Sequence, residues 1–162
     1  MAFSLSARSL DRLRGVHPKL QAVVRRAISL TKVDFGVIEG VRTLERQQEL
    51  FESGASQTMK SQHLPDEDGY GRAVDLMAYI NNRGCWELKV YDDIADAMKE
   101  AAKDAEVAVR WGCAWQIDNI CDWDGTMEEA MNAYIDGKRA RNQRPFLDGP
   151  HFELGKVKDD AA

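Results

Sequence analysis

This chain of 162 residues carries three histidines, and two of them, His63 and His151, stand near carboxylates in a pattern that points to a metal site. Ser61-Gln62-His63 is followed, across an acidic loop from Leu64 to Asp68, by Gly69-Tyr70-Gly71-Arg72-Ala73-Val74-Asp75. An imidazole nitrogen and a carboxylate oxygen suit zinc, and a catalytic zinc takes three protein ligands and leaves one position open to water. The third ligand is available near the C-terminus, where Asp148-Gly149-Pro150-His151 offers His151 with a base, Asp148, three residues earlier. His17 has no carboxylate or second histidine at ligand spacing and is expected to serve a turn or a helix cap.

Each part is weak alone. A single histidine is more often a structural residue than a ligand, and Asp-Gly-Pro is also ordinary turn chemistry. The elements that position these residues therefore matter. Asp75 falls near the start of Ala73 to Ile80, a short apolar run that reads as a buried strand. A carboxylate there is costly without a partner; a metal would resolve the cost, as would a salt bridge to Arg72 or Arg110. Pro150 disfavours helix, so His151 to Leu154 is expected to be a strand with Asp148 on the turn before it. Asp34 to Gly40 reads as another strand. Thr43 caps a helix whose Leu44, Gln47, Leu50 and Phe51 form one face and whose end is marked by Gly54. Arg42 thus sits at a strand-to-helix junction, a place that often carries function, although an arginine there is by default solvated or salt-bridged.

Further helices are expected from Leu5 to Gly15, capped by Ser4 or Ser6 with Leu10 and Leu13 on one face, from Pro18 to about Leu30, and from Val90 to Ala102. Another follows the capping box of Thr126 and Glu129. Asn81 to Gly84 reads as a turn, and Glu106 to Trp111 as a strand leading to Trp115, which either lines a groove or joins the core.

Composition narrows the function. Hydrophobic content of 44% and charged content of 30% fit a globular domain, with no apolar run approaching the ~20 residues of a membrane span. The N-terminal residues lack the pattern of a secretory signal, so the product is expected to stay in the cytosol. A net charge of -5 argues against nucleic acid, and the basic run Lys138 to Arg144 is explained by the end of a helix. Cys85, Cys113 and Cys121 are odd in number and widely spaced, as free thiols would be. One domain over 1–155 is expected, with a charged tail over 156–162.

Taken together and in order, these motifs resemble a known family. The specific parts are Phe3-Ser4-Leu5-Ser6 with Gly15-Val16-His17-Pro18, Glu39-Gly40-Val41-Arg42-Thr43, Ser61-Gln62-His63, Gly71 to Leu76, Arg110-Trp111-Gly112 and Asp148 to Leu154. Over roughly 3–154 they resemble the zinc D,D- and L,D-peptidases related to the vancomycin-resistance carboxypeptidases, in particular the phage endolysins that are L-alanyl-D-glutamate endopeptidases. The resemblance implies a small α+β fold of the D,D-peptidase or Hedgehog-like kind, its antiparallel sheet carrying the zinc site and its helices flanking the sheet. It implies Zn2+ held by His63, Asp75 and His151, Asp148 as general base, and Arg42 stabilising the substrate carbonyl as it gains charge. Ser61 matches a position near the metal and, with Trp115, is a candidate substrate contact.

The implied function is cleavage of the L-Ala–D-Glu bond of the peptidoglycan stem peptide by a monomeric lysis enzyme. Such an enzyme is made in the infected host's cytoplasm and released to the periplasm or wall through a separate membrane pore protein. A D,D-carboxypeptidase on the same site, and a non-catalytic wall-binding or virion structural module, are the alternatives. An intact base weighs against the module, which has no need of Asp148. One departure stands out: the family usually has about six residues between the first histidine and the aspartate. Here Leu64 to Val74 intervene, so Pro65 to Asp68 reads as an insertion, a solvated loop in preference to a second cation site.

Overall fold

A computed structural model describes residues 2–56 and 58–156; of the expected tail only Lys156 is among them. The elements run α1 (Ala7–Arg12), α2 (Pro18–Leu30), β1 (Asp34–Glu39), α3 (Leu44–Glu52), β2 (Ala73–Ile80), β3 (Arg83–Cys85), α4 (Leu88–Ala105), β4 (Val109–Trp111), α5 (Met127–Ala140) and β5 (His151–Leu154), with a 3-10 turn at Ile120–Asp122 before α5. All strand pairs are antiparallel, in the order β1-β2-β5-β4, and the α+β class expected from the sequence is the one observed. β2 is the axis of the sheet. β1 runs along one edge of it, while β5 and the short β3 share the other, pairing with its beginning and its end.

The helices begin where side chains can satisfy their first amides. Ser6 Oγ accepts from Ser9 N, and Thr43 Oγ1 accepts from Arg46 N. Thr126 and Glu129 complete a capping box. His17 is a cap, as expected: its Nδ1 accepts from Lys19 N, with Pro18 at the first helical position. Leu20, Val23, Val24, Ala27 and Ile28 of α2 are buried, and α2 packs against α4. On the outer edge of β1, Val37 N donates to Ser9 Oγ and Arg12 Nη1 donates to Val37 O. Helix α1 thus seals an edge that would otherwise be free to pair with another chain.

Four local expectations are corrected. Asn81 and Asn82 both take positive φ, the geometry of a two-residue hairpin loop, which frees Arg83–Cys85 to pair as β3. Glu106 ends α4 in the left-handed conformation, so β4 starts at Val109. Helix α1 starts at Ala7, and Leu10 is partly exposed while Leu13 is buried. In α3, Leu44 and Phe51 face solvent and the inward residue is Gln47, because what this helix meets is Arg42 and loop backbone instead of the apolar core.

Candidate metal centre and cleft

The register of the sheet sets three ionisable residues in a row. Asp75 on β2 is the direct partner of Glu39 on β1 and of His151 on β5. Directly opposed residues of antiparallel strands share a face, so the row crosses three strands on one side. His63 arrives from the loop after α3, held at its backbone where Arg42 N donates to His63 O at 2.8 Å. Nitrogens of His63 and His151 and an oxygen of Asp75 lie within 4.8 Å of one another.

Both imidazoles are gripped from behind. His63 Nδ1 donates to Gly40 O at 2.8 Å, which leaves Nε2 turned to Asp75 Oδ1 at 3.2 Å. His151 Nε2 lies 2.8 Å from Glu153 Oε1, which leaves Nδ1 turned to the same Asp75 oxygen at 3.3 Å. A carbonyl and a carboxylate only accept hydrogen bonds, so they claim the proton of each neutral ring. The other nitrogen of each ring then offers a lone pair to a carboxylate, an arrangement that a proton or a cation must resolve. The donor set therefore fits a metal: two imidazole nitrogens and a carboxylate oxygen, with outer partners that fix the rings. Burial opposes the charge on His151, but Asp75 and Glu153 overcome it and push the imidazole up to about 9. Burial likewise opposes the Asp75 carboxylate, and hydrogen bonds from His151 and His63 outweigh it, holding Asp75 well below the usual carboxylate range.

Arg42 is salt-bridged, as a junction arginine ordinarily is, but it is buried and not at the surface. Its Nε and Nη2 form a two-pronged pair with Glu39 at 2.7 and 2.8 Å. Its Nη1 donates to Gln47 Oε1 at 2.7 Å and more distantly to Ser61 Oγ, and Nη2 stands 3.9 Å from Asp75 Oδ2. Burial disfavours the cation, yet Glu39, Asp75 and Asp148 raise its pKa further. Neither Arg72, paired with Asp66, nor Arg110, bound to the Trp115 carbonyl, serves Asp75.

Asp148 sits on the turn that feeds β5, where His151 N donates to Asp148 O. The turn lies against Gly112: any Cβ at Gly112 would fall 2.2 Å from Asp148 O, so a glycine is required there. From below, Trp111 Nε1 donates to Gly149 O at 2.8 Å. Burial, with a contribution from Asp75, raises the Asp148 carboxyl, while His151, His63 and Arg42 pull it back.

These groups line a cleft of about 480 Å³. Its lining includes the aromatic Trp115 and Phe146 and a polar wall of Ser56, Thr58, Lys60 and Ser61. The two tryptophans thus divide: Trp111 is wholly core, and Trp115 faces the cleft, its ring 5.4 Å from that of His151 and its Nε1 donating to Phe146 O. The cleft brings together all seven residues singled out by sequence: Arg42, Ser61, His63, Asp75, Trp115, Asp148 and His151. Glu39, Gln47 and Glu153 were not singled out. Strand alternation gave a signal for Glu153, which shares a face with His151; Glu39 depended on register across strands, and Gln47 was masked by its apolar neighbours in α3.

One imidazole and a carboxylate on an antiparallel sheet, joined by a second imidazole from a loop in a cleft with a half-buried carboxyl beside them, define a candidate metal-dependent hydrolase. A family model described as phage L-alanyl-D-glutamate peptidase matches residues 1–155, and the chain belongs to that family. It is similar to the L-alanyl-D-glutamate peptidase of Escherichia phage T5, 31% identical over 119 residues that span 71% of this chain and 83% of that protein. It is also similar to the crystal structure of the L-Ala D-Glu endopeptidase ChiX of Serratia marcescens. There the TM-score is 0.67 and the identity 35%, with 96% of this chain and 92% of the other covered.

Proposed function

We propose that this protein is a zinc-dependent peptidoglycan peptidase that cleaves the L-Ala–D-Glu bond of the stem peptide as a phage endolysin. The observation that carries the metal is the pair of imidazoles whose outer nitrogens are taken by Gly40 and Glu153 and whose inner nitrogens converge on Asp75. His63, Asp75 and His151 hold the ion. When bound, zinc supplies Lewis acidity and acidifies a water to a pKa of about 7. Asp148, half-buried and with its pKa raised, takes a proton from the attacking water and returns it to the leaving amine. Arg42 contributes a fixed positive charge beside the carbonyl as oxygen gains electron density. Trp115 and Ser61 border the substrate.

Family membership and similarity to two enzymes named for this bond support the endopeptidase over a D,D-carboxypeptidase. In this reading residues 1–155 are the catalytic unit. The enzyme is a monomer that accumulates in the infected cell's cytoplasm and reaches the wall through a separate pore protein. No helix among the described residues is long and apolar enough to cross a membrane. The test is metal analysis after zinc supplementation: about one equivalent with chelator-sensitive hydrolysis supports the proposal, and less than about half an equivalent with chelator-insensitive hydrolysis, or none, sinks it.

A further inference from the structure

Gln47 is fully buried, although Leu44 and Phe51 on the same helix face solvent. A buried amide needs partners for its acceptor and for both donors, and Gln47 has all of them. Its Oε1 accepts from Arg42 Nη1 at 2.7 Å. Its Nε2 donates to Ser56 Oγ at 2.8 Å and to the Thr58 carbonyl. The amide cannot be reversed, since its NH2 would then face the guanidinium. Glu39 fixes the Nε–Nη2 side of Arg42, while on the Nη1 side the alternative partner, Ser61 Oγ, is 3.4 Å away. Gln47 therefore sets the position of that prong. Its other arm ends on Ser56 and Thr58, which line the cleft.

We propose that Gln47 is a positioning residue that ties Arg42 to the cleft wall at Ser56 and Thr58, so that a stem peptide seated on that wall and the charge beside its scissile carbonyl hold one geometry. This rests on the reading of the cleft as a peptidase site. Gln47 touches neither the metal ligands nor Asp148, and acts through Arg42 on one side and the wall on the other.

The two arms can be separated. Gln47→Met keeps the volume and loses both. Gln47→Glu still accepts from Arg42 but presents an oxygen to the Thr58 carbonyl, so the wall arm is weakened to what the Ser56 hydroxyl can donate. With purified stem peptide, Gln47→Met lowers kcat about tenfold or more. Gln47→Glu recovers kcat to within about threefold while KM stays raised. Both retain the zinc content of the parent. In an Arg42→Met background Gln47→Met lowers kcat by less than about twofold more, because residues acting as a unit are non-additive. A full, additive loss there overturns the proposal. Nitrogen-15 NMR of the Arg42 guanidinium reads the tie without turnover: rotation at Nη1 is slow in the parent and in Gln47→Glu and faster in Gln47→Met. Unchanged rotation in Gln47→Met overturns the proposal whether or not the parent cleaves peptide, whereas a zinc-loaded parent that cleaves nothing, with rotation as expected, sinks the peptidase reading alone.

Discussion

His151 and Glu153 are two residues apart on β5, and their side chains meet on the cleft face, Nε2 to Oε1 at 2.8 Å. A carboxylate behind a ligating imidazole fixes its ring and raises its basicity, and loss of such a partner commonly costs about 10- to 100-fold in metal affinity. Glu153→Ala should weaken zinc binding by that range in a competition titration against a calibrated chelator, with the fold retained. An affinity equal to that of the parent would show that Glu153 does not support the ligand.

In the proposed reaction Asp148 acts as its carboxylate, and burial raises its pKa. The acidic limb of kcat/KM should therefore rise with pH at a midpoint above the ordinary carboxylate value of about 4. Because Arg42 lowers the Asp148 pKa, Arg42→Met should move that midpoint upward as well as reduce the rate. Asp148→Ala should keep zinc and lose hydrolysis. A variant at 148 that stays active would remove Asp148 from the role of base.

Much of this site was legible along the chain, and the reason is chemical. His63, Asp75, Asp148 and His151 are polar residues set in apolar or turn-forming surroundings, where cost without a partner marks them out. Strand β2 and strand β5 were readable from short apolar runs and from Pro150. What was hidden depended on pairing. Glu39 faces Asp75 only through the β1–β2 register, and Arg42 is buried only because Glu39 and Gln47 receive it. Helix α3 looked amphipathic in the ordinary sense, yet its inward position is an amide, because it packs on a polar junction. The strand Arg83–Cys85 followed from the positive φ of two successive asparagines, which sequence presented simply as a turn.

Asp92 makes a prediction about stability. It is buried, its Oδ2 lacks a hydrogen-bond partner among the described residues, and burial, then Asp93, Glu128 and Asp96, push its carboxyl up to about 6. A folded pKa above the unfolded value means that this acid is neutral in both states at low pH and opposes folding once it ionises. Its penalty therefore grows from about pH 4 to about pH 6 and is full above that range. Relative to the parent, Asp92→Asn should gain about 1–3 kcal/mol between pH 3.5 and pH 7.5 in urea unfolding. A difference that is flat with pH would contradict the assignment.

The loop between His63 and Asp75 is anchored at its ends independently of its acids. Arg42 N and Arg72 N donate to His63 O and Gln62 O, and Gly71 N donates to Gly15 O. Asp66 mainly serves its own loop, accepting from Asp68 N and Tyr70 N, and its pair with the half-exposed Arg72 at 3.4 Å adds to the backbone anchors without replacing them. Deleting Pro65 to Asp68 should therefore leave zinc stoichiometry at the parental value in metal analysis of the purified protein. Loss of zinc would show that the insertion helps build the site.

Hydrolysis of one bond by the zinc-loaded cleft is read from mass spectrometry of fragments released from purified peptidoglycan, with a chelated sample and Asp148→Ala as references. Peptides bearing a new N-terminal D-glutamate should appear from the zinc-loaded parent alone. Release of free D-alanine, or no release at all by the zinc-loaded protein, would contradict it.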